Sequence, residues 1–293
     1  MAPIAVGQLR LRNRIGIFLR PILVIALFIL AVGAWAFLIE PNQLVTHHET
    51  IVLTPSSTTS QPLRIAAIGD IHAGSPFINT AKLKQIVEVT NNQHPDLIIL
   101  LGDYMVRDSL FQRSIDPEII AAILKDLHAP LGVFAVLGNH DNWYNHDRVT
   151  HAFESAGIDV LDNEVKEIKR GERSVWLVGL ADAWTGRHDV AGTLNQVPLG
   201  ASIILLTHNP DVFLDQIPNR VQLTLAAHTH GGQVNLPFVG RLIVPSSYGQ
   251  RYAAGTIKEN GRTMFVTTGV GTSILPVRFR VPPEIAVLTV EGL

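Results

Sequence analysis

Five short apolar runs each end in a residue able to hold a metal ion. "LRIAAIG" is followed by Asp70, with His72 two residues on; "LIILLG" by Asp103; "GVFAVLG" by Asn139; "SIILLT" by His208; and "VQLTLAA" by His228, with His230 two residues on. Asp, Asn and His together offer oxygen and imidazole nitrogen, a mixed set that suits Mn, Fe, Zn or Co better than the all-oxygen shells of Mg or Ca. Seven such residues could fill two metal shells. One ligand commonly bridges a metal pair, and a carboxylate with two oxygens fits that role, which makes Asp70 and Asp103 the candidates. Asn139, a neutral oxygen donor, would keep negative charge low beside an anionic substrate. A single histidine behind a strand is more often solvated or hydrogen-bonded than a ligand, and His47, His48, His94, His128, His146, His151 and His188 have no such placement. The weight lies in the repetition of one pattern behind five separate runs.

The runs themselves, four to eight residues rich in Val, Ile and Leu, read as strands buried on both faces. A sixth, "VWLVGL", stops before Ala181. Between them Thr80 to Asn92 places Leu83, Ile86 and Val87 at helical spacing, and Pro117 to Leu127 does the same with Ile120, Ile123 and Leu124. Alternating strands and helices predict an α/β fold with a largely parallel central sheet, whose ligands gather at the carboxyl ends of its strands. Leu44 to Leu53 reads as a further strand, and "TPSSTTSQP" after it as a turn or short linker. Beyond His230, "GRLIVP", "RTMFVTTGV" and "EIAVLTV" are strand-like with little helix between them. They predict a second, mixed or antiparallel sheet, and so a two-sheet sandwich flanked by helices. On a regular strand His228 and His230 would share a face, since side chains alternate. Gly231 and Gly232 behind them suit unusual backbone angles and close approach.

The 293 residues, 47% of them hydrophobic, suffice for one large domain. A net charge of -2 gives no reason to expect a nucleic-acid duplex as partner. With no cysteine in the chain, disulfides and thiolate metal sites are excluded. Residues 21–39 carry no charge, close to the roughly 20 residues a membrane-spanning helix needs. Arg10, Arg12, Arg14 and Arg20 precede them, and the first acid, Glu40, follows. By the positive-inside rule the N-terminus stays in the cytoplasm and the rest lies outside. The expected organisation is a basic cytoplasmic segment at 1–20, a single-pass plasma-membrane anchor at 21–39 and an extracytoplasmic catalytic domain at 43–293. Ala34-Trp35-Ala36 fits a signal-peptidase site, but the apolar run exceeds the usual signal length. A buried core helix is the third option.

The ordered motifs "GDIH" (Gly69 to His72), "GDY" (Gly102 to Tyr104), "GNHD" (Gly138 to Asp141), "THNPD" (Thr207 to Asp211) and "HTHGGQ" (His228 to Gln233) resemble those of the calcineurin-like metallophosphoesterases. The resemblance implies a four-layer α/β/β/α sandwich with a dinuclear centre. One metal would take Asp70, His72 and His230 and the other Asn139, His208 and His228, with Asp103 bridging. His140 would be the catalytic histidine. The metals would activate a water between them for in-line attack on phosphorus and neutralise the phosphoryl oxygens; His140 would stabilise charge or protonate the leaving oxygen. Arg107 falls where the protein phosphatase branch has a phosphate-binding arginine. Val106 stands where that branch has the aspartate that pairs with the catalytic histidine, leaving Asp141 or a residue outside the motifs to orient His140. Ala227 replaces a glycine usual in the family, a change expected to matter little.

The anchor together with "HNPD" and "HTHGGQ" is similar to a bacterial membrane-anchored branch related to the UDP-2,3-diacylglucosamine pyrophosphatases of lipid A biosynthesis. The resemblance implies a phosphate ester or pyrophosphate substrate, lipid- or nucleotide-linked. Because that lipid A precursor is cytoplasmic and the arginines place the domain outside, a general exported phosphoesterase leads and the lipid A enzyme is the alternative. A non-catalytic binding protein would lack ligands or the histidine, and all are present. A lipid pocket would need an apolar groove, for which Asn142 to Val149 and Phe111 to Ile115 are the candidate segments.

Overall fold

The computed structural model describes residues 5–53, 61–108, 112–171 and 173–293, with side chains from residue 20 onward. Residues 54–60 of the expected linker and Phe111 of the second groove segment lie outside the described residues. The strands are β1 (Val45–Val52), β2 (Leu63–Ile68), β3 (Leu97–Leu100), β4 (Val133–Ala135), β5 (Asp159–Val160), β6 (Glu164–Arg170), β7 (Arg173–Gly179), β8 (Ser202–Leu206), β9 (Leu223–Ala226), β10 (Asn235–Leu236), β11 (Gly240–Arg241), β12 (Gly255–Glu259), β13 (Arg262–Val266) and β14 (Glu284–Glu291). The helices are α1 (Ala5–Ala34), α2 (Thr80–Asn91), α3 (Pro117–Leu124), α4 (Asn139–Ser155), α5 (Val190–Leu194) and α6 (Val212–Asp215).

Two six-stranded sheets form, in the orders β1-β14-β2-β3-β4-β5 and β12-β13-β9-β8-β7-β6. In the first, β2 to β5 run parallel; in the second, β7, β8, β9 and β13 do. Alternation along each strand splits its apolar residues between two layers. Ile65, Ala67, Ile99 and Leu101 meet Ile204, Leu206 and Leu225 between the sheets. Ala66, Ile68, Ile98 and Leu100 face outward, onto Leu83 and Ile86 of α2, Ile120 and Leu124 of α3, and Phe153 of α4. On the far side Ile203, Leu205 and Met264 pack on Leu194 of α5 and Phe213 of α6. Strands buried on both faces explain the unbroken apolar runs, and the result is the expected α/β/β/α sandwich.

The division between the sheets departs from expectation. The second sheet begins at β6, well before His230, and "EIAVLTV" returns to the first sheet as β14, parallel to β1 and antiparallel to β2. "GRLIVP" contributes only the two residues of β11. A strand buried on both faces carries no mark of its partner, so the runs did not reveal which sheet each would join. The helical spacing was legible: α2 starts with the Asn79 side chain accepting the Lys82 N–H at 2.9 Å, and α3 starts with Pro117 at its first turn.

Helix α1 is continued by a π-turn at Trp35–Ile39 and a 3-10 turn at Glu40–Asn42, and Arg20–Asn42 is long and apolar enough to cross a membrane. Leu23, Val24, Phe28, Ile29 and Leu30 are all exposed, so this is no core helix. Ala36 and Glu40, by contrast, are buried against the domain.

Candidate metal centre

The strands end together, and the residues after them turn inward. Asp70, His72, Asp103, His228 and His230 all have positive φ, between 46° and 73°. Left-handed backbone is costly for residues with a Cβ and gathers where function holds it in place. This corrects the expectation of strand alternation for the last pair: β9 ends at Ala226, and His228 and His230 converge through left-handed turns on either side of Thr229. Thr229 points away, its hydroxyl donating to Ala253 O at 2.7 Å. Gly231 and Gly232 also have positive φ, but what they approach is protein: a Cβ on Gly231 would lie 2.8 Å from Thr268 and Val281, and one on Gly232 2.7 Å from Ile243 O. Ala227 fills space left by Gly69, whose own Cβ would sit 2.6 Å from that of Ala227.

Three groups of ligand atoms, each within 4.8 Å of one another, result: Asp70, His72 and His230; His72, Asp103 and His140; and Asp103, His208 and His228. Asp103 belongs to the last two and joins them to the first, with Oδ2 3.6 Å from His72 Nε2 and 3.2 Å from His208 Nε2. His72 Nδ1 sits 3.0 Å from Met105 O and His208 Nδ1 2.7 Å from Leu101 O. A carbonyl only accepts, so each Nδ1 carries the proton and, in a neutral ring, each Nε2 presents a lone pair. Those lone pairs face His230 Nε2 at 3.1 Å, His228 Nδ1 at 3.1 Å and the Asp103 carboxylate. Acceptors so close repel unless a proton or a cation lies between them.

The charges say the same. Burial disfavours a charged His208, yet Asp103, through its charge and hydrogen bond, pulls the imidazole up to about 10. Burial raises Asp70 to about 7 and lowers His72 to about 4 and His228 to about 3. Carboxylates and imidazoles held out of water, most of them short of protons, make a cation-binding environment. Among the described residues, Asn139 Oδ1 is buried without a hydrogen-bond partner. The donor set, the inward-facing imidazole nitrogens and this orphaned oxygen fit divalent cations.

His140 stands at the start of α4, its backbone N–H donating to Asp103 Oδ1 at 2.8 Å. Gly138 before it tolerates no side chain, since a Cβ there would lie 2.2 Å from that same oxygen. Burial lowers His140 below its usual value, with neighbouring His208 and Arg107 adding to the effect against Asp103. Asp141 does not orient the ring, contrary to one of the sequence expectations. Both its oxygens are taken by backbone N–H groups of Gly138, Asp103, Tyr104 and Met105 at 2.8 to 3.0 Å. The imidazole is held by packing instead, edge-on to His72 at 4.7 Å between centroids and against Trp143 at 5.2 Å. Val106 is buried and brings no carboxylate. Arg107 is exposed on the same loop.

Sequence reasoning missed three neighbours. Trp184 packs edge-on to His228 at 4.4 Å and lies 6.3 Å from Trp143, so two half-exposed indoles flank the centre. Asp182 is buried with one unpartnered oxygen and helps raise His208. The signal was "LADAW", where a carboxylate follows β7 as others follow β2 and β3. Buried Arg278 lowers Asp70 from 208 residues away in sequence, and nothing local marks it.

Residues 63–232 match the family model of the calcineurin-like phosphoesterases. The chain is 31% identical over 260 residues to the uncharacterized metallophosphoesterase YkuE of Bacillus subtilis, covering 88% of this chain and 89% of that one. It is 32% identical over 232 residues to the phosphodiesterase YaeI of Escherichia coli, covering 78% and 82%. A zebrafish protein described as a transmembrane protein with metallophosphoesterase domain is 31% identical over 282 residues, covering 89% of this chain and 61% of that one. The chain belongs to the calcineurin-like phosphoesterase family. It is a metal-dependent hydrolase of phosphoric ester bonds.

Proposed function

We propose that this is a membrane-anchored phosphoesterase with a two-metal centre, cleaving a phosphate ester or pyrophosphate bond of a small or lipid-linked substrate. The reading rests on one observation above others: Asp103 Oδ2 lies between His72 and His208, whose lone pairs are aimed inward by carbonyl-anchored Nδ1 atoms. In this reading Asp70, His72 and His230 would hold one divalent cation and Asn139, His208 and His228 the other, with Asp103 shared between the two sets. Mn, Fe, Zn and Co all suit the set. The cations would supply an activated water and neutralise the phosphoryl oxygens.

The chain's own groups do the rest. His140, lowered by burial, is neutral at pH 7 and offers a hydrogen-bond donor to the phosphoryl or leaving oxygen. Arg107 supplies a positive charge on the same side for the substrate phosphate. Trp143 and Trp184 offer flat apolar faces to whatever the phosphate is attached to. Helix α1 would hold the domain on the extracytoplasmic side of the plasma membrane, as the arginines before it favour.

The test is turnover by the full chain in detergent with Mn, using p-nitrophenyl phosphate, bis-p-nitrophenyl phosphate and a UDP-linked lipid pyrophosphate. Hydrolysis of at least one, abolished by chelator, is expected; preference for the last would favour the lipid A enzyme. Absence of turnover on all three with no metal by elemental analysis would refute the reading and favour a binding protein. An alkaline phosphatase fusion after residue 60 that is inactive in cells would overturn the topology.

A further inference from the structure

Six large apolar side chains stand in water on two neighbouring turns: Phe238, Val239, Leu242 and Ile243 around β11, and Ile274 and Leu275 after β13. Phe238 is 109% exposed, Ile274 82% and Ile243 80%. Single exposed apolar residues need no explanation, but a cluster of this kind marks an interaction surface.

The two turns are one unit. The Gln233 side-chain amide donates to Leu275 O and Val277 O at 3.1 Å and accepts the Ser273 N–H at 2.7 Å. The Asn235 N–H donates to Phe279 O, and the Phe279 N–H to Gln233 O, both at 2.9 Å. The same unit grips the foot of α1. The Arg278 N–H donates to Ala36 O at 2.9 Å, and the Val281 N–H to the Glu40 carboxylate at 2.6 Å. Exposed Leu38 and Ile39 carry the apolar surface from the helix down to this joint.

We infer that Phe238, Val239, Leu242, Ile243, Ile274 and Leu275 are seated in the lipid bilayer beside α1, as a second membrane contact of the catalytic domain. The inference rests on the reading of α1 as a membrane anchor. A helix that crosses a bilayer brings whatever is bonded to its foot to the interface, and uncovered Phe, Ile and Leu there enter the headgroup and acyl boundary. The consequence falls on the metal centre. Arg241 Nε donates to Gly231 O at 2.7 Å, so the hairpin lies directly over the backbone that follows His230. With the hairpin in lipid, the centre meets substrate at headgroup level, where the phosphate of a membrane-resident amphiphile sits.

Because the chain contains no cysteine, single substitutions place a fluorophore without background. The full chain is reconstituted in phosphatidylethanolamine and phosphatidylglycerol vesicles with Phe238→Cys, Ile243→Cys, Ile274→Cys, Leu27→Cys within α1, or Leu199→Cys. Leu199 is exposed at the amino end of β8, away from the centre. Quenching by brominated lipid chains and by aqueous iodide is read for each. Labels at 238, 243, 274 and 27 should lose emission to brominated lipid and resist iodide, with the reverse at 199. If the label at 27 is quenched by lipid while those at 238, 243 and 274 remain open to iodide, the anchor stands and the second contact is refuted. If the label at 27 is also untouched by lipid, the anchor reading fails and takes this one with it. Shielding from iodide without quenching by lipid would mean that another protein surface, such as a second copy, covers the turns, and would also overturn the proposal.

Discussion

The Asp141 carboxylate accepts the backbone N–H of Asp103 at 2.8 Å, so the acid of one motif fixes the backbone that carries the acid of another. Three further N–H groups share it, and together they hold the backbone from Asp103, whose φ is left-handed, to Met105 against the start of α4. Burial and the Asp103 charge raise Asp141 to about 7, while the backbone donors work the other way. Asp141→Asn would put an amide NH2 where two N–H groups point. A stability loss on the order of 3 kcal/mol is expected from unsatisfied buried donors, read as a lower denaturation midpoint, with reduced metal content. Unchanged stability would show that the turn holds itself.

His140 and Asp103 separate by function although they touch. His140→Ala removes a ring that binds no backbone group through its side chain, so metal content should hold while turnover falls by about 10²–10⁴, the usual range for a lost proton-transfer group. Asp103→Ala removes the oxygen between His72 and His208 and should lose metal as well as turnover. Elemental analysis of both variants decides; equal metal content would refute the assigned roles.

Much of this centre was legible before any fold was known, because strands ending at one edge make residues distant in sequence into neighbours. Asp70, Asp103, His208 and His228 each follow a run that became β2, β3, β8 or β9. What could not be read was conformation: the left-handed turns at His228 and His230 leave no periodic trace, and a period of two gave the right convergence for the wrong reason. Nor could partners be read when their contacts are made by backbone. Asp141 looked available to His140, and only the fold shows its oxygens occupied. Arg278 was invisible for the same reason, since carbonyls of any sequence can receive a guanidinium.

Loading with metal should release protons. In the cation-free cluster His208 titrates at about 10 and Asp70 at about 7, so at pH 7 the first is protonated and the second about half so. Ligation requires both to be deprotonated. Apparent affinity for Mn should therefore rise with pH, by about tenfold per unit for each proton displaced, through pH 7 and on toward pH 10. Calorimetry in buffers of differing ionisation enthalpy counts the protons, and a count of zero at pH 7 would show that no protonated His208 or Asp70 is displaced by the metal.

Arg278 joins the foot of α1 to the metal centre. It is fully buried, its guanidinium donating to the carbonyls of Thr268, Gly269, Gly271 and Val281 at 2.6 to 3.1 Å. Burial lowers it to about 10, so it stays charged at neutral pH. A Cβ on Gly269 would lie 2.6 Å from that of Asp70, so the segment Arg278 pins runs against a candidate ligand. Arg278→Met keeps the aliphatic stem and strips the carbonyls of Thr268, Gly271 and Val281 of their donor, while Gly269 O keeps the Glu284 N–H at 3.0 Å. The expected cost is about 3–5 kcal/mol, a Tm lower by roughly 10 °C for a domain of this size. With the positive charge gone Asp70 should also move further up, weakening metal binding at pH 7. Lysine restores the charge but not the planar fork, so Arg278→Lys should recover metal affinity more fully than Tm. A Tm within about 1 °C of the parent for Arg278→Met, measured by calorimetry with the cost scaled as above, would show that the carbonyls find other donors and that the joint is held from elsewhere.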